Sequence, residues 1–400
     1  MKLGLKILGL VLLLVSIGVG VLGYIAYSNR TSVPEVALPV RQEMENVGSV
    51  VVEAVAEGVG QLWGLEFIPG TTQLLATERL GKLYLIDTAS KEISTIENIP
   101  AVTTQGQGGL LDVAVSPEFA QDQVIFLTYA VAGEGGKATR VASAQLDSAT
   151  KSLNNVTDLY TAPYQSGGTH FGSRLVVKDQ FIYFTLGDRG DKNFEDHTAQ
   201  NTQNPYGSII RLNRDGSIPV DNPFVTNQSI LNEIYSYGHR NPQGLALRPD
   251  TDELWSSEHG EFQGDEINII KAGGNYGWPE AHEACSYVTR RPFGVLPAER
   301  PDTVPPVFVW SCGTSGFPPA GMTFYTGDMF PAWRGSLLVG GLAGRYLARF
   351  TVTNLGLIEE APLLKEEGWR VRDVAVGPTD GAVYVAVEGA QVSLVRIVME

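Results

Sequence analysis

The chain has 400 residues, a formal net charge of −15, 45 glycines, 22 prolines and only 18% charged residues. A phosphate backbone needs a basic face, so nucleic acid is excluded as a partner, and any cluster of arginines stands against the global field and calls for a local anionic target. Frequent glycine and proline with sparse charge suit many short strands joined by tight turns, so an all-β fold is expected.

The chain opens with Lys2 and Lys6, followed by the uncharged run ILGLVLLLVSIGVGVLGYIAY from Ile7 to Tyr27. Such a run has about the 20 residues that a helix needs to cross a bilayer. It reads as an export signal or an anchor. No clear small-x-small cleavage site follows, so residues 1–30 are expected to be an uncleaved anchor, lysines inside and the remainder on the periplasmic or extracellular face. Residues 31–48 read as a tether, and residues 49–400 as one folded domain.

Beyond the tether one pattern recurs six times: an apolar strand, a polar turn, then a second apolar or aromatic strand. The copies are GLEFIPGTTQLLATE from Gly64, LDVAVSPEFAQDQVIFLTYA from Leu111, SRLVVKDQFIYFTLGD from Ser173, GLALRPDTDELWSSEHG from Gly244, MTFYTGDMFPAWRGSLLVGGL from Met322 and VRDVAVGPTDGAVYVAVEG from Val371. Six unevenly spaced copies match four-stranded blades with loop insertions, which predicts a six-bladed β-propeller. Ser49–Gly58 (SVVVEAVAEG) is expected to supply the outer strand that locks the last blade to the first, removing an exposed edge.

Candidate site residues fall at one register of this repeat. His170 and Arg240 stand at the same offset ahead of Val177 and Leu247, with Gln107 similarly ahead of Val115, and Arg370 and Arg372 ahead of Val376. If the first strand of each blade lines the channel, these side chains converge on one rim near the axis. The stretch from Tyr237 to Pro279 adds Asn241, His259, Glu261, Asp265 and Glu266 around Gly260, Gly264 and Gly277. Carboxylates with main-chain carbonyls turned by glycine are what a hard cation such as calcium requires. Several arginine forks suit a polyanionic ligand, and a histidine is the side chain best suited to take a proton near neutrality. Cys285 and Cys312, the only cysteines, read as a disulfide in an exported chain; two free thiols or a metal site remain as alternatives.

The motifs GQGGLLDVAVSPEF, GGTHFGSRLV, AQNTQNPYGSIIRLNRDGSIP, YGHRNPQGLA, EHGEFQGDEINIIKAGGNYGWP and VRDVAVGP resemble those of the soluble glucose and sorbosone dehydrogenases, most closely their aldose sugar dehydrogenase branch. The resemblance runs from about Gly64 to the C-terminus. It implies a six-bladed propeller that binds pyrroloquinoline quinone (PQQ) and calcium. Such an enzyme oxidises the anomeric carbon of aldose sugars to lactones by hydride transfer to the quinone and then passes electrons to an acceptor, here unidentified. It further implies His170 as the base, with Gln107, Arg240 and Asn241 at the quinone side and substrate, and Arg370 and Arg372 at the cofactor's carboxylates. The carbonyls of Gly260 and Glu261 would hold the catalytic calcium, and Glu266 with the Tyr276 carbonyl a second, structural one.

Three positions depart from the family pattern. Glu261 stands where EHGP is usual, Thr169 precedes the histidine where relatives of the glucose enzyme carry an acid, and Ala343 stands where a lysine is expected, with Arg345 nearby. The competing readings are a calcium-dependent propeller lactonase or esterase, and a propeller that only binds sugars or a partner protein. The first leaves Arg370 and Arg372 without an anionic ligand.

Overall fold

The computed structural model describes residues 38–44, 48–389 and 392–400; the expected anchor over 7–27 lies outside them. Six sheets form the expected six-bladed propeller, five of them four-stranded and the last five-stranded. The inner strands are Leu62–Phe67, Leu110–Val115, Leu175–Lys178, Pro242–Leu247, Pro319–Phe324 and Arg370–Val376, which we number as blades 1 to 6. Each pairs antiparallel with the next strand in sequence, so every copy of the repeat is the innermost hairpin of a blade. Consecutive inner strands neighbour one another around a closed ring, with blade 6 against blade 1.

The inner strands are apolar on both faces because one face packs on each neighbouring blade; Leu110–Val115, for example, is buried throughout. Between blades 5 and 6, Tyr325, Trp333, Leu338, Val371 and Val385 form a core with almost no exposure. Ring closure comes from Gly48–Glu57, which pairs with Val392–Met399 as expected. Val50 and Val52 on that strand are fully buried, and each such side chain contributes roughly 1.5–3 kcal/mol. The stretch read as tether also contributes a strand: Val40–Met44 pairs with Gly48–Glu57 and becomes the edge of blade 6.

The ring leaves a central channel with two mouths. One lies before and at the starts of the inner strands, the other at their far ends. Between them Arg174 of blade 3 donates from Nη1 to Asp112 of blade 2 at 3.1 Å and to Asp373 of blade 6 at 2.9 Å. Its Nε donates to the Gln243 carbonyl of blade 4 at 2.9 Å. Asp112 also accepts from Leu175 N, and Asp373 from Leu65 N of blade 1. One buried arginine and two buried aspartates therefore tie five blades together across the axis.

Candidate active site

At the first mouth lies a cavity of about 370 Å³. Its lining includes Gln61, Trp63, Arg79, Gln107, Asn241, Gln243, His259, Arg370 and Arg372, drawn from blades 1, 2, 4 and 6. Three arginines, Arg79, Arg370 and Arg372, are in its lining, and among the described residues no Asp or Glu lines it. His259 adds no charge: burial, and then the neighbouring guanidinium groups of Arg240 and Arg372, push its imidazole down to about 3. Its Nε2 donates to the Pro319 carbonyl at 2.7 Å.

His170 precedes the inner strand of blade 3 in a left-handed turn, φ +50°, an uncommon conformation for a residue other than glycine. Two contacts hold it. The His170 amide donates to Gln107 Oε1 at 2.8 Å, and the ring Nδ1 lies 2.5 Å from Asp188 Oδ1. The neighbouring chain runs so close that a Cβ on Gly187 would sit 2.4 Å from the His170 carbonyl oxygen, so only glycine fits there. Burial by itself would raise the Asp188 carboxyl; its hydrogen bond to His170, the charges of His170 and Arg240, and the Gly190 amide instead hold it below the usual range. Its other oxygen accepts from Trp278 Nε1 at 2.9 Å, with His197 Nε2 at 3.5 Å. An ionised carboxylate on Nδ1 fixes that nitrogen as the donor and leaves Nε2 with its lone pair, the arrangement of a general base.

The arginines divide into groups. Arg370 and Arg372 line the cavity from one strand, but both also pair with Glu388, at 2.8 and 2.7 Å, on the adjacent strand. Their charge holds the Glu388 carboxyl down at about 2, against its burial. Arg370 and Arg372, expected to need an anionic ligand, therefore already share an anion of the protein, Glu388. Arg240 is buried beside the cavity: its Nη2 donates to Glu261 Oε2 at 2.7 Å and its guanidinium lies 5.2 Å from the Trp278 ring centre. Glu261 also takes Lys192. Glu261 thus pairs with both Arg240 and Lys192. Ala343 lines the cavity, and Arg345 donates to the Gly368 carbonyl.

Arg240, Glu258, His259, Gly260, Glu266, Tyr276 and Trp278 surround a second cavity of about 10 Å³, room for a single small ion or water. Glu258 Oε1 accepts from His239 Nδ1 and from Asn268, and Oε2 accepts from the Arg240 amide. Glu266 shares Asn268. Burial first, and then the charge of Glu258, push the Glu266 carboxyl well above its usual range. Two buried carboxylates that repel each other are a donor set a divalent cation relieves, and Gly260 and Tyr276 line the same cavity. Among the described residues no three His, Cys, Asp or Glu side chains converge as a metal cage, so a cation here would depend on such carbonyls. The insertion that forms this wall is stapled by the Cys285–Cys312 disulfide, as expected.

Sequence reading missed Asp188, Trp278, Glu388, Arg79, Gln61, Trp63 and Gln243. Asp188 lies in the turn GDRGD that follows Phe181–Leu186. Extending the hairpin register Leu175↔Phe184 past the strand ends brings residue 170 up against the residues just after Leu186. Likewise Arg370 and Glu388 are direct cross-strand partners. Both were within reach of a register argument.

The chain matches the glucose/sorbosone dehydrogenase family model over residues 59–396. It is 36% identical over 359 residues to the aldose sugar dehydrogenase YliI of Escherichia coli, covering 87% of this chain and 93% of that protein. The crystal structure of the soluble E. coli aldose sugar dehydrogenase in its apo form superposes with a TM-score of 0.79 at 34% identity, covering 88% of this chain and all of that one. The PQQ-bound aldose sugar dehydrogenase of Streptomyces coelicolor superposes with a TM-score of 0.71 at 26% identity, covering 90% of this chain and all of that one.

Proposed function

The chain belongs to the glucose/sorbosone dehydrogenase family, and from that premise we propose that it oxidises the anomeric carbon of an aldose to the lactone, with His170 as base and with pyrroloquinoline quinone and calcium bound in the channel mouth. The observation that carries this reading is the cavity itself: Arg79, Arg370 and Arg372 wall it without an acid, and the loops of Gln107 and His170 form its rim. A tricarboxylate fits such a wall. Arg370 and Arg372, each with donors beyond those spent on Glu388, would hold its carboxylates, while Asn241 and Gln107 would face the quinone edge and the sugar. Bound there, the quinone supplies the hydride acceptor.

The protein's own contribution is the proton. His170 Nε2 takes the anomeric hydroxyl proton, and Asp188 stabilises the imidazolium that results while keeping the ring oriented. Trp278 and His197 fix the second Asp188 oxygen, so the carboxylate does not rotate away when the charge on the ring changes. The Gly260 and Glu261 carbonyls would hold a calcium ion that would supply Lewis-acid chemistry, and Glu266 with the Tyr276 carbonyl would hold a structural one. The disulfide fits an oxidising compartment, and we assign the enzyme to the periplasmic or extracellular face, anchored through residues 7–27. Electrons would leave to an acceptor not yet identified.

Absorbance of the protein with calcium and the quinone, recorded with and without an aldose, tests the reading. Uptake of the quinone followed by an aldose-dependent spectral change is expected. Hydrolysis of a lactone or ester with no need for the quinone would overturn it.

A further inference from the structure

Arg370 and Arg372 share the Glu388 carboxylate. Arg79, which also lines the main cavity, pairs with none. Its Nη1 donates to the carbonyls of Thr104, Gly106 and Gly108 at 3.4, 3.3 and 3.0 Å, and its Nε to Gln61 Oε1 at 3.2 Å. All four acceptors are neutral, and among the described residues no Asp or Glu forms an ion pair with it. The guanidinium is held only by neutral oxygens, and its Nη2 has no protein acceptor among the described residues. The residue's root is also fixed: its amide bonds the Gln61 carbonyl, and a Cβ on Gly109 would lie 2.0 Å from its carbonyl oxygen. A rigid, uncompensated cation facing a cavity that no acid lines is built for an anion.

We propose that Arg79 is a further anion-binding residue of this cavity, its Nη2 taking a carboxylate of the bound molecule. The inference rests on the reading that the cavity binds a quinone and oxidises an aldose. A carboxylate has two sources there, the cofactor or an acidic sugar such as a uronic acid, and the test separates them.

Arg79→Gln keeps an amide nitrogen at the place of Nε, beside Gln61, but removes the charge; Arg79→Lys keeps the charge and loses the fork. Quinone is titrated into each calcium-loaded protein at low and high salt, and kcat/KM is measured for glucose and glucuronic acid. A cofactor carboxylate predicts that the quinone Kd rises about tenfold in Arg79→Gln, less in Arg79→Lys, with the gap shrinking as salt is added. A sugar carboxylate predicts an unchanged quinone Kd and an approximately tenfold fall in the glucuronic acid to glucose ratio of kcat/KM. Equal loss on both sugars at unchanged quinone affinity would mean that Arg79 only holds the Gln107 turn and would overturn the proposal, as would no change in either quantity. Wild-type protein that takes up no quinone would sink the underlying reading instead.

Discussion

The two ends of the central channel are built from the same six strands and carry opposite charge. At the first mouth Arg79, Arg370 and Arg372 line a cavity that no acid among the described residues lines, and Glu388, which pairs with both Arg370 and Arg372, is outside that lining. Toward the other mouth Glu66 joins Asp112 and Asp373 around the single cation Arg174, in a cavity of about 340 Å³. Burial, with the charges of Asp112 and Asp373, pushes Glu66 up to about 8. The first mouth thus carries three arginines that line a cavity, and the second a buried ion cluster that joins neighbouring blades.

The largest effect should come from breaking the binding end. His170→Ala removes a positioned base and should lower kcat by ~10²–10⁴ while the quinone stays bound. Oxidation of an aldose at the wild-type rate by that variant would remove His170 from the mechanism. The clasp is broken by Arg174→Met, which leaves Asp112 and Asp373 buried without their cation. Removing one partner of a buried pair costs about 3–5 kcal/mol, so the chemical-denaturation midpoint should drop sharply. Unfolding at the wild-type midpoint would show that the cluster is not structural.

A smaller effect separates the two arginine groups further. Arg372→Ala removes one or two charge-assisted hydrogen bonds to a bound carboxylate, each about 1.5–3 kcal/mol, so quinone affinity should fall at least about tenfold. Glu388 keeps Arg370 in that variant, so the melting temperature should move little. Reconstitution as tight as wild type would make the pair a structural charge cluster.

The two ends should also titrate in opposite senses. Glu66 has a folded pKa raised from 4.5 to about 8, so stability falls as pH rises through that window, because the folded protein holds the proton longer. Glu388 is depressed to about 2, so its contribution is present above 4.5 and lost as pH falls toward 2. Melting curves against pH should therefore show Glu66→Gln gaining on wild type as the buffer becomes alkaline, and Glu388→Gln converging on wild type as it becomes acid. Parallel curves for wild type and Glu66→Gln would mean that the far end of the channel is not strained by its charge.

Composition, the strand-turn-strand repeat and the closing strand were legible in the chain itself, because periodic apolar runs and glycine-proline turns are local properties that each blade repeats. A common register was also legible, and of the residues it picked out Gln107, Arg370 and Arg372 line the cavity, while Arg240 lies beside it against Glu261. The partners of those residues were not. Asp188 on His170, Glu388 between Arg370 and Arg372, Glu261 on Arg240, and the carbonyls that hold Arg79 lie 18, 18 or 16, 21 and 25 to 29 positions away in sequence. The clasp joins Arg174 to Asp373, 199 positions apart. Whether a given arginine is free to bind a ligand or is already neutralised depends on which carboxylate lies within 3 Å or so of it, and only the closed ring of blades sets those distances.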